Sequence, residues 1–115
     1  MKIERWETDF IEKSIIIENV TQKENDKLNI LIETQEKEKY IISIIPEFYE
    51  VGYEQHYFEL WKLLDFSATT LLIRKSKWIK RFPILNENEF THFVISGIDK
   101  VVHIIAKTEP KIMKL

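Results

Sequence analysis

Residues Thr91–Ala106 read THFVISGIDKVVHIIA. Two runs rich in β-branched and apolar residues flank Gly97-Ile98-Asp99, which is the pattern of a hairpin. The spacing predicts antiparallel strands over Thr91–Ser96 and Lys100–Ala106. Each strand carries one histidine, His92 and His103. If paired residue numbers sum to an odd value, 195 or 197, the two histidines fall on one face of the sheet in either register. A metal centre would want a third ligand, and no HxH, HxxxH or HExxH spacing supplies one, so no metal is expected. The expected role is structural: a half-exposed or hydrogen-bonded pair on a sheet face.

Working outward, Thr69–Ile73 reads as a short buried strand. Ser76 then N-caps a short helix (about 76–82) whose Trp78 and Phe82 share a face, and Pro83 stops it. Towards the N-terminus, Ser14–Val20, Leu28–Thr34 and Tyr40–Ile45 form an antiparallel meander, with Phe48–Gly52 as a possible continuation. Lys111–Leu115 adds a short final strand after Pro110. Between these regions Tyr53, Tyr57, Leu60/Trp61 and Leu64 recur at helical intervals and predict one main helix (about 53–65). The expected class is therefore α+β: mainly an antiparallel sheet of five to seven strands, open or partly closed into a barrel, with one main and one short helix. Nineteen isoleucines against two alanines favour the strands.

The 115 residues, with no repeat or linker, imply one domain over 1–115. The absence of cysteine excludes disulfide and thiol chemistry and fits a reducing compartment. MKIERWETD lacks the apolar region of a secretory signal, and no apolar run approaches a bilayer span. A soluble cytoplasmic protein is expected.

Residues 1–65 carry fifteen acids and eight bases, and residues 66–115 four acids and nine bases. Net charges of −7 and +5 sum to the formal −2. As a whole the chain lacks the charge of a nucleic-acid binder. Two glycines leave no phosphate-cradling loop, and no GxSxG elbow is present. No catalytic residue, cofactor or metal is expected, and the reading is that the protein is not an enzyme.

Two segments could recognise a partner. Arg74-Lys75-Ser76-Lys77-Trp78-Ile79-Lys80-Arg81 sets five cations around a tryptophan, which would suit nucleic acid; its structural reading is a short helix with a solvated basic side. Glu47-Phe48-Tyr49-Glu50-Val51-Gly52-Tyr53-Glu54 interleaves carboxylates with aromatics, which suits a cationic protein surface. Its structural reading is a sheet edge with aromatics in and acids out. The candidate interface comprises Glu47, Glu50, Glu54 and Glu59 for steering, with Tyr53, His56 and Tyr57 as anchors.

The order of features resembles small bacterial immunity-type proteins that accompany polymorphic or contact-dependent toxins. The residues that carry the likeness are Tyr49-Glu50-Val51-Gly52-Tyr53-Glu54, then Ser76-Lys77-Trp78-Ile79-Lys80-Arg81-Phe82, then the HFVI…DKVVHIIA…PKI run from His92 to Ile112. The resemblance implies a cytoplasmic inhibitor that binds one cognate, cationic toxin domain and has no chemistry of its own. It carries over no interface residues, because such proteins do not share one binding surface. The alternatives are a nucleic-acid-binding accessory protein using residues 74–81, or a small ligand-binding domain or enzyme.

Overall fold

The computed structural model of the chain describes residues 2–23, 27–53, 68–81, 85–86, 88–98 and 100–115. These form nine strands: β1 (Lys2–Arg5), β2 (Ile15–Gln22), β3 (Leu28–Thr34), β4 (Lys39–Ile44), β5 (Phe48–Tyr53), β6 (Thr70–Arg74), β7 (Thr91–Ser96), β8 (Lys100–Ala106) and β9 (Lys111–Lys114). A single short helix, α1 (Lys77–Lys80), lies between β6 and β7. The strands make two sheets, β1-β6-β7-β8-β5 and β2-β3-β4-β9, with every pairing antiparallel.

Strict alternation builds the interface between the sheets. From the four-stranded sheet come Ile15, Ile17, Leu28, Ile30, Ile32, Tyr40, Ile42 and Ile44, all buried. They meet Phe93, Ile95, Val102, Ile104 and Ala106 of β7 and β8 in one cluster. Each fully buried isoleucine contributes about 1.5–3 kcal/mol of hydrophobic free energy, so this layer is the main source of stability. Trp6 and Phe10, from the β1–β2 connection, join the same cluster. Trp6 lies edge-on to Phe93 at 5.2 Å, and Phe10 meets Tyr40 at 5.0 Å. One backbone bond crosses between the layers, from Ile98 N–H to the Ile15 carbonyl at 2.9 Å.

The five-stranded sheet is covered on both faces. Four consecutive residues of β7 and six of β8 are buried, so these strands read as continuous apolar runs, as doubly covered strands do. The second face carries Leu71, Ile73, Val94 and Val101, and beside them Ile105 packs with Ile79 of α1 and Phe90.

The meander, the Thr91–Ala106 hairpin and the Ser76-capped helix stand where the sequence reading put them. The α+β class does not hold. The described residues are mainly antiparallel β, in two sheets and with nine strands instead of five to seven, and their helix is four residues long. The predicted main helix (about 53–65) loses its first residue, because Tyr53 extends β5 opposite Lys100. Its remainder lies outside the described residues. The physical reason at Tyr53 is that an aromatic with a strand ladder beside it pairs there whatever its helical spacing. The strand β1 was not expected. KIER has no alternating apolar face, and it is the edge of β6 that turns it into a strand through the pairs Lys2↔Arg74 to Arg5↔Leu71.

Candidate functional site

The hairpin register sums to 197, with His92 opposite Ile105 and Val94 opposite His103. His92 and His103 therefore stand on the same face as diagonal neighbours, and that face is the one α1 covers. Both are 1% exposed. His92 Nε2 and His103 Nδ1 are 2.8 Å apart, and His92 Nδ1 lies 2.6 Å from Ser76 Oγ.

Ser76 is held by its role as N-cap. Its backbone is extended (φ −63°, ψ 139°), and its Oγ accepts the Trp78 backbone N–H at 3.1 Å. A second lone pair and the proton remain on Ser76 Oγ, and we assign the proton to His92 Nδ1. His92 then bears its proton on Nε2 and donates it to His103 Nδ1. This polarity, Ser76 to His92 to His103, gives each of these atoms a matched partner. The Trp78 indole closes the site, stacked on His103 at 4.2 Å and 20° and tilted over His92 at 5.1 Å.

Burial disfavours the charged imidazolium and lowers both pKa values, to about 4 for His92 and about 3 for His103. Repulsion from His92 adds to the effect at His103. Both rings are neutral at pH 7. The Ser–His–His chain resembles a catalytic relay in composition only. The Ser76 oxygen is buried as a helix cap and has no substrate-accessible side, so the chain can fix a tautomer and a packing geometry but cannot reach a ligand. Among the described residues, no three His, Cys, Asp or Glu side chains stand together as a metal site.

Trp78 is thus committed to the histidines, with Arg81 5.7 Å over its ring. The basic segment retains exposed Arg74, Lys75, Lys77, Lys80 and Arg81, but its one aromatic is not free to stack a base. Arg74 is also engaged, since its Nε donates to Glu4 Oε2 at 3.0 Å.

The predicted acidic interface is described in part. Glu47 and Glu50 are exposed, in and just before β5, the end strand of its sheet. Glu50 stands across the ladder from His103, and the Glu47 N–H donates to the Ile105 carbonyl at 2.8 Å. Tyr53 ends the same strand. Glu54, His56, Tyr57 and Glu59 lie outside the described residues. Val51, 40% exposed, adds an apolar element beside Glu50. A cleft of about 330 Å³ opens next to this strand, lined by Gln22, Pro46, Glu47, Phe48 and Tyr49.

Sequence reasoning identified the shared face of the histidines but not the approach of Ser76 and Trp78, which lie 16 and 14 positions before His92. The available signal was a capping serine placed between two strands that neighbour one another in the sheet. No helix among the described residues is long and apolar enough to cross a membrane. Compared with family models, curated proteins and solved structures, the chain matches none.

Proposed function

We propose that this is a non-enzymatic binding protein that docks a cationic protein surface on the β5 side of its five-stranded sheet, in the manner of an immunity protein blocking a bacterial toxin domain. The observation that carries the reading is the composition of that edge. Exposed Glu47 lines a cleft of about 330 Å³ with Gln22, Pro46, Phe48 and Tyr49, and exposed Glu50 follows in the same strand. Carboxylates steer a basic partner, and a mainly polar recess that includes Glu47 and Gln22 suits the charged head of a lysine or arginine. The burial of Ser76, His92 and His103 supports a partner-binding role over a chemical one.

The test is co-purification with the product of the gene immediately upstream, followed by calorimetry at low and high salt. A one-to-one complex is expected, with affinity falling at least about tenfold for Glu47→Lys/Glu50→Lys and falling again with added salt. A complex indifferent to both changes would move the interface elsewhere on the molecule. If the two proteins do not associate, the immunity reading fails.

A further inference from the structure

The outer face of the four-stranded sheet is set out in rows by its registers. One row runs Ile16 (β2), Glu33 (β3), Lys39 (β4) and Leu115, whose N–H bonds to the Lys39 carbonyl at 2.8 Å. The next runs Asn19, Leu31, Ile41 and Met113. The third runs Thr21, Asn29, Ser43 and Lys111. The central row is apolar across three adjacent strands. Ile16, Met113 and Leu115 are 47%, 60% and 61% exposed, unusually high for large apolar side chains on one face.

Charge is divided along the same axis. Glu18 and Glu33 lie on the β2–β3 half, and Lys39 and Lys111 on the β4–β9 half. The two acids crowd one another: the hydrogen bond that a protonated Glu18 donates to Glu33 is the first cause raising the Glu18 pKa. Lys39 Nζ is 3.9 Å from Glu18, at the limit of an ion pair.

We propose that this face is a self-association surface, and that its occupant is a second copy of the same chain. A twofold axis parallel to the strands, lying in the contact plane between β3 and β4, turns the β2 side of one copy over the β9 side of the other. Four of the six opposed pairs then match, while Asn19 falls opposite Met113 and Thr21 opposite Lys111. Leu31 faces Ile41, Ile16 faces Leu115, Asn29 faces Ser43 and Glu33 faces Lys39. Such a contact is isologous, and its near-parallel strands match the aligned mode of sheet packing. An axis at right angles to the strands would instead set Leu115 on Lys111 and Glu33 on Asn29. Of these two orientations the first is the more complementary.

The test is sedimentation velocity from about 5 µM to about 500 µM, the micromolar range in which modest interfaces dissociate. The 13.9 kDa chain is expected to pass from monomer to dimer. Glu33→Lys alone and Lys39→Glu alone set like charges against each other and should weaken the dimer at least about tenfold. Mixed one to one, the two variants restore both pairs across the axis and should dimerise again. Met113→Lys removes an apolar side chain that is 60% exposed and should weaken association, with unchanged circular dichroism confirming the fold. A native chain that stays monomeric throughout overturns the proposal. So does a dimer unaffected by Met113→Lys, or a mixture of the charge variants that fails to associate.

Discussion

Acid should unfold this protein earlier than its carboxylates alone would require, and the buried histidine pair sets the amount. In the unfolded chain a histidine titrates near 6.5, whereas burial holds His92 at about 4 and His103 at about 3. The folded-state values are lowered, so below pH 6.5 the unfolded state binds protons that the native state refuses. Stability is fully present above the unfolded value and is lost as pH falls towards the folded ones. Each histidine then contributes a slope of about 1.4 kcal/mol per pH unit, and the pair about 2.7 kcal/mol. Between pH 7 and pH 5 the loss is about 4 kcal/mol, a large part of the 5–15 kcal/mol typical of a domain. The carboxylates act lower. Glu38 is held at about 2, first by its hydrogen bonds to Lys114 and then to Lys13, and contributes its change only below 4.5. Urea unfolding followed by tryptophan fluorescence at pH 7, 6 and 5 would measure the slope. His103→Gln should halve it and His92→Gln/His103→Gln should remove it, while His56 is common to all the chains and cancels. Equal slopes for native and doubly substituted chains would refute the claim that burial keeps the pair neutral.

Two further substitutions probe the same framework. Ser76→Ala removes both the cap of α1 and the hydrogen-bond partner of His92 Nδ1, so it should cost about 2–3 kcal/mol, measured as a lower urea midpoint. A loss under about 0.5 kcal/mol would mean that the hydrogen bond to His92 is dispensable. Gly97→Ala would place its methyl 3.0 Å from Ile17 Cγ1 and 3.2 Å from the Lys100 carbonyl. Ile17 is buried and cannot retreat freely, so overpacking should destabilise by about 1–3 kcal/mol in thermal unfolding.

Much of the sheet structure was legible because period-two patterns are local. Leu28–Thr34 shows both its strand limits and its inward face in the residues themselves, whereas Thr91–Ala106 shows its strand limits and turn. Parity alone placed His92 and His103 together, since it holds for any odd register sum. The failures lie where structure depends on distant partners. Lys2–Arg5 is a strand because β6 offers it an edge, a fact absent from its own four residues. Tyr53 belongs to two overlapping patterns, and the ladder to Lys100 decides between them. Trp78 was read on the packed side of its short helix, but its particular partner, His103, depends on a contact between residues 25 apart in the chain.

The pairings also bear on how quickly the molecule can assemble. β2, β3 and β4 meet through short connections, as do β7 and β8. The ladders β1–β6 and β4–β9 instead join residues such as Ile3 with Ile73 and Ile41 with Met113. Closing those separations costs chain entropy before any contact repays it. Folding should therefore be nucleated by the meander and the hairpin, with the long-range ladders β1–β6, β4–β9 and β5–β8 zipping on afterwards. Weakening Ile3 or Ile112 should accelerate unfolding and leave the refolding rate nearly unchanged, and a slowed refolding rate would contradict that order. The edge strands β1 and β9 thus act as kinetic locks, governing how long the folded state survives more than how fast it forms.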